Sequence, residues 1–160
     1  MSSLCEMTAT DLRHMIGRKD ISPVELVEAS IDRIEMVDSS LNAVVTKNYE
    51  AARKAAKTAE KSVLDGEMLG MLHGLPIGIK DLEATANLRT TLGSKLYADH
   101  VPTTDLGCVA NVRNAGGIIL GCSQHAPNEH ILEETSKSAL RLMTGLWWDL
   151  GAGDTPKNAK

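Results

Sequence analysis

Lys80 closes an apolar run punctuated by glycine, Leu72-His73-Gly74-Leu75-Pro76-Ile77-Gly78-Ile79-Lys80-Asp81. The run reads as a turn feeding a short buried strand that ends in a charged pair. A lysine at that point is expected to be partly desolvated, which favours the neutral amine over the ammonium ion. A neutral amine accepts protons, so this residue type in this place suits a general base or the activation of a nearby hydroxyl. It equally suits an ordinary strand-end lysine whose head reaches water or pairs with Asp81.

Other reactive side chains form weaker patterns. Cys122, His125 and His130 match no zinc spacing and lack a fourth ligand, so no metal site is expected. His73 precedes Gly74 and reads as a plain turn residue that needs no function, while His14 and His100 read as surface residues. Gly116-Gly117 is followed by a strand pattern rather than by a helix start with Lys-Ser/Thr, so it is not a phosphate loop.

Several elements must hold Lys80 in place. Thr8 and Thr10 can cap a short helix that Gly17 closes. Ser22-Pro23-Val24-Glu25 is a capping box with proline in the first turn, and Val24, Val27, Ile31 and Ile34 then share one face. Ala43 to Thr46 reads as a strand. Tyr49 to Leu64 reads as a helix with an alanine stripe at 51, 52, 55, 56 and 59, ended by Asp65-Gly66. The stretch from Thr90 to Pro102 reads as loop, with Gly93-Ser94 at a turn. A helix is expected over Asp105 to Ala115 with Thr104 as its cap, followed by a buried strand at Ile118 to Gly121. Strand, helix, strand at this spacing is a βαβ unit, hence a parallel pairing and an α/β class. Beyond Gly121 the pattern degrades. A sparse helix is possible at Ile131 to Met143, and Trp147 to Pro156 has no periodicity.

Composition narrows the function classes. Of 160 residues, 42% are hydrophobic and 24% charged, which is globular rather than disordered. The chain has two Trp, two Tyr and no Phe, so its core must be aliphatic and alanine-built. Net charge is −4 with scattered Lys and Arg, so no nucleic-acid partner is expected. No apolar run approaches a membrane span. Three unclustered cysteines and an N-terminus without a basic-then-apolar stretch make a cytoplasmic location the expectation.

Taken together, Gly74, Pro76, Gly78, Lys80 and Asp81, in the order Leu-His-Gly-x-Pro-x-Gly-x-Lys-Asp, resemble the N-terminal part of the amidase signature family. Downstream, Thr90-Thr91-Leu92-Gly93-Ser94, Asp99, Thr104-Asp105 and Arg113 to Gly121 follow the same family's order. Upstream, the Ser-Pro-capped helix, the Asn-Ala-Val-Val strand and the alanine-rich helix agree with it as well. The resemblance spans residues 8 to 121. It is specific because several motifs recur together in order. It implies a partial amidase-like fold, with N-terminal helices on a small mixed or parallel sheet and an irregular C-terminal tail.

The same resemblance implies cleavage or transfer of amide bonds by a Ser–Ser–Lys triad, with Lys80 as the lysine and no cofactor or metal. It implies a small-molecule amide as substrate, with its binding residues unassigned. The family's glycine- and serine-rich segment, expected after Trp148, is absent. Gly151 to Lys160 contain no Gly-Gly-Ser-Ser, and Ser94 is not the family's nucleophile. The chain is therefore expected to be inactive alone, or to be a non-catalytic piece that self-associates or joins a partner. Residues 1–121 are expected to be the amidase-like part and 122–160 a divergent tail. Gln124-His125-Ala126 codons read one base later can spell Asn-Thr-Pro, as the family has there, so a frame change near Cys122 is the expected origin of that tail. The genomic sequence after codon 121 tests this.

Overall fold

The computed structural model describes residues 4–123. The helix expected after Ser22 forms as α2, Pro23–Leu41. The Ser22 hydroxyl accepts from the Glu25 N–H at 3.0 Å, and the Glu25 carboxylate accepts from the Ser22 N–H at 2.8 Å. Two donors that a helix start leaves unpaired are thereby satisfied. Before it lies α1, Ala9–Gly17, capped by Thr8, whose hydroxyl accepts from the Asp11 N–H. Asn42 ends α2 in the left-handed conformation at φ 50°. β1, Val44–Lys47, and α3, Tyr49–Leu64, follow directly.

The alanine stripe of α3 faces inward. Ala52, Ala56 and Ala59 share a buried cluster with Val27 and Ile31 of α2 and with Ile118 and Leu120 of the last strand. Alanine lets α3 approach closely and buries little area of its own, so the helix is held by its neighbours. A second cluster joins Leu12 and Ile16 of α1 to Leu26, Val63 and Leu75.

Three strands form one sheet in the order β1-β3-β2, where β2 is Pro76–Lys80 and β3 is Ile118–Ser123. β2 and β3 are parallel, and the crossover between them carries α4, Gly107–Asn114, as the βαβ spacing predicts. β1 pairs with β3 antiparallel, so the sheet is mixed. Among the described residues β3 is central and β2 is an edge strand. Ile77 pairs with Ile119 but Gly78 with Gly121, which leaves Leu120 as an extra residue in β3. The irregularity places Ile119 and Cys122 with Ile79, Leu88 and Val109, while Ile118 and Leu120 pack with α2 and α3.

Two boundaries differ from the expectation. α4 begins at Gly107 rather than Asp105, and its N-cap is Leu106, which makes no side-chain capping bond. Asp105 is used otherwise: one oxygen accepts from the Ala86 N–H at 2.7 Å and the other pairs with Arg113 at 2.8 Å. It fastens the preceding loop to the end of the helix. β3 continues two residues beyond Gly121, and Cys122 is a fully buried strand residue. The possible helix at 131–143 and the Trp147 to Pro156 segment lie outside the described residues. Among the described residues no helix is long and apolar enough to cross a membrane.

Candidate functional site

Lys80 is the last residue of β2 and pairs in register with Ser123, the last residue of β3. The site therefore sits at the C-terminal ends of two parallel strands, where α/β sheets commonly place their chemistry. The Lys80 side chain is exposed, which corrects the expectation of partial desolvation. Ile77 and Ile79 point into the α4-side core, so Gly78 and Lys80 take the opposite face of the strand. That face is covered over β3 by α2 and α3 but is open over Gly78 and Lys80, both of which are exposed.

Asp81 does not pair with Lys80. It points inward and is 1% exposed. One carboxylate oxygen accepts from the Thr91 N–H at 2.9 Å, and the other accepts from the Thr91 hydroxyl. Its backbone N–H donates to Ser123 O at 2.6 Å, and its carbonyl accepts from the Leu92 N–H at 3.0 Å. These four bonds fix the peptide that follows Lys80 and tie the loop at Thr91 and Leu92 to the strand end. The alternation of successive side chains across a strand could have shown this from sequence: if Lys80 faces out, Asp81 faces in.

The glycine and proline of the motif serve the backbone. Gly74 is buried with φ +78°, and a Cβ there would lie 2.9 Å from Pro23 Cγ. Its N–H donates to Gly116 O at 3.0 Å, which joins the turn before β2 to the turn before β3. Pro76 starts β2 opposite Ile118, at an edge position that tolerates a missing donor. His73 is half-buried, and its Nε2 lies 2.9 Å from the Ala59 carbonyl, so it ties this turn to α3. A cavity of about 330 Å³ is lined by Leu12, Leu26, Leu72, Leu75, Pro76 and Ile77, at the opposite end of β2 from Lys80.

The remaining candidates are occupied. Ser94 caps a single 3-10 turn at Lys95–Tyr97, accepting from the Leu96 N–H at 3.3 Å. Cys122 is buried beside the Thr85 and Thr90 hydroxyls, and burial pushes its thiol up. The exposed Cys108 thiol donates to Glu83 at 3.2 Å, and that carboxylate pushes the thiol up. Among the described residues no group of three or more His, Cys, Asp or Glu could hold a metal ion, and His125 and His130 lie outside them. Ser123, whose hydroxyl donates to the Ile79 carbonyl at 3.4 Å, is the residue that sequence reading does not bring to Lys80. Its signal is the parallel register, which a one-residue bulge makes hard to count.

Comparison with known proteins matches the Amidase family model over residues 25–138. The matching component of the glutamyl-tRNA(Gln) amidotransferase from Gluconobacter oxydans is 39% identical over 121 residues, 76% of this chain and 24% of that protein. An acylamidase from Rhodococcus erythropolis is 38% identical over 115 residues, 72% of this chain and 24% of that one. A crystal structure of a bacterial aryl acylamidase of the amidase signature enzymes superposes with a TM-score of 0.70 at 33% identity, covering 74% of this chain and 25% of that chain. The chain thus spans about a quarter of the length of the curated relatives it matches.

Proposed function

The chain belongs to the amidase signature family, and on that premise we propose that Lys80 is the proton-transferring lysine of a site that cleaves or transfers amide C–N bonds. One observation carries the reading: Lys80 stands exposed on an open sheet face, while Asp81, the next residue, is locked inward by four hydrogen bonds. The strand end is rigid, and the amine is left for something outside the described residues. In the proposed chemistry the amine takes a proton from a bridging serine, which takes one from a nucleophilic serine. That oxygen attacks the amide carbonyl, the proton returns through the relay to the leaving nitrogen as the C–N bond breaks, and water then hydrolyses the acyl ester to the free acid and restores the serine. A glycine-rich backbone segment would hold the oxyanion.

The 160 residues contain no Gly-Gly-Ser-Ser, so on this reading they do not turn over amides by themselves. An aryl anilide and a fatty amide are the test substrates, with Lys80→Met as control. We expect no turnover above buffer from either protein. Robust turnover that Lys80→Met abolishes would overturn the absence of the serines as the explanation.

A second reading is favoured by the edge of β2, which is unpaired among the described residues: a non-catalytic piece, residues 1–121 with a divergent 122–160, that associates with itself or with a fuller homologue. Relatives whose names make them components of an amidotransferase support association in assemblies. Size-exclusion chromatography tests it, and a compact, stable monomer counts against it.

A further inference from the structure

Leu92 is held in a conformation that leucine avoids. Its φ is +53°, and Gly93 after it is at +66°. The Ser94 N–H closes the turn on the Thr91 carbonyl at 2.9 Å. A turn with both central residues left-handed usually carries Asn-Gly, because a bulky side chain strains that backbone. The other non-glycine residues with positive φ have local reasons for it. Lys19 and Asn42 lie at helix ends, and Asn87 is of a type that tolerates the region. Leu92 returns nothing to the fold for its strain. It is exposed and belongs to none of the buried clusters among the described residues. Residues fixed in such conformations collect at sites of function.

The Leu92 turn is fastened to the end of β2. The Leu92 N–H donates to the Asp81 carbonyl at 3.0 Å, and Thr91 donates twice to the Asp81 carboxylate. A second turn starts at Lys80 itself, where the Glu83 N–H donates to the Lys80 carbonyl at 2.9 Å, and Leu82 within it is also exposed. One exposed amine and two exposed leucines therefore emerge from two turns joined at Asp81. We propose that Leu92, with Leu82 from the adjoining turn, sets the specificity of the Lys80 site by meeting an alkyl or aryl substituent of the amide. The site then takes apolar amides over a zwitterionic one such as free glutamine, whose charges would lose water against leucine without gaining a partner. This rests on the reading of Lys80 given above and names the substrate class of that site.

The first test concerns strain. In the full chain, Leu92→Asn should raise the thermal midpoint, because asparagine tolerates this backbone. An unchanged or lower midpoint would show that the fold itself uses the leucine, and the proposal would fall. The second test reads contact on the full chain by methyl-resolved NMR, with the Leu92 signals identified as those that Leu92→Asn removes. Acetanilide and hexanamide should shift these signals saturably, and glutamine at the same concentrations should not. Leu96, which is 93% exposed, is the control for indiscriminate apolar contact and should stay still. In Leu92→Asn, acetanilide binding followed at the Leu82 methyls should weaken about tenfold, the low end for one apolar contact. No response to either amide, an equal response to glutamine, or an equal shift at Leu96 overturns the proposal. Each of these outcomes leaves the lysine reading untouched. Anilide turnover that survives Lys80→Met would instead sink the lysine reading and leave the Leu92 contact standing.

Discussion

Asp81→Ala should be among the most damaging single changes in the described fold, although the residue adjoins an exposed lysine. The carboxylate is 1% exposed and receives both the Thr91 N–H and the Thr91 hydroxyl. Hydrogen bonds to a charged group contribute about 1.5–3 kcal/mol each, and a buried donor left unpaired costs a similar amount. Losing both should therefore cost about 3–5 kcal/mol, a large share of the roughly 5–15 kcal/mol that holds a typical domain together. Asp81→Asn keeps an acceptor for the Thr91 N–H. The Thr91 hydroxyl can turn to accept from the new amide, so the cost should fall to about 1 kcal/mol. Thr91→Val strands one carboxylate oxygen and should cost about 2 kcal/mol. Urea unfolding followed by circular dichroism gives each value from the shift in midpoint. The double variant should be less damaging than the two singles added together, by about 1–2 kcal/mol, because both remove one network. If Asp81→Ala and Asp81→Asn cost the same, or if Asp81→Ala and Thr91→Val are additive, the clamp is not what fixes the strand end.

Lys80→Met should shift stability by less than about 0.5 kcal/mol in the same measurement, because its side chain is exposed and forms no ion pair among the described residues. Gly121→Ala should unfold the protein or lower its thermal midpoint by many degrees, since the new methyl would overlap the Thr46 carbonyl of β1. Ala56→Leu should cost about 1–3 kcal/mol in urea unfolding by overpacking the contact between α3 and its neighbours. Arg53 bonds both oxygens of Glu28, at 2.7 and 2.8 Å, and so holds its carboxyl below the ordinary glutamate value. A carboxyl depressed in the folded state contributes stability above its unfolded pKa and loses it as pH falls through the folded one. The wild-type midpoint should therefore drop more steeply than that of Glu28→Gln as pH falls below the ordinary glutamate value of about 4.3.

What can be read from the sequence is what short-range physics decides. Ser22, Pro23 and Glu25 announce a helix start through bonds made within four residues, and the structure contains both reciprocal bonds. The alanine stripe and Asp65-Gly66 bound α3, and the distance from Lys80 to Ile118 leaves room for a crossover helix, hence the parallel pair. Asp105 misleads because a Thr-Asp before an apolar run looks like a cap. Its carboxylate is instead claimed by Ala86, nineteen residues upstream, a contact that no local pattern shows. The exposure of Lys80 escapes the sequence for a related reason. Burial of a strand-end side chain depends on what covers the sheet, and α2 and α3 cover β3 rather than the end of β2.

The placement of Lys80 bears on what kind of molecule this is. In β2, Ile77 and Ile79 enter the core, whereas Gly78 and Lys80 join no buried cluster, and Asp81, just past the strand, enters the loop clamp. A strand selected only for stability would carry β-branched or aromatic residues at such outward positions, and a strand left as a permanent edge would be guarded by more than one terminal charge. Within this five-residue strand, the two isoleucines that pack into the core and the lysine proposed for amide chemistry therefore occupy opposite faces. Such a division lets the fold persist whether or not the chemistry is complete. Changes at Ile77 and Ile79 should therefore lower stability, whereas changes at the exposed Lys80 should leave it nearly unchanged.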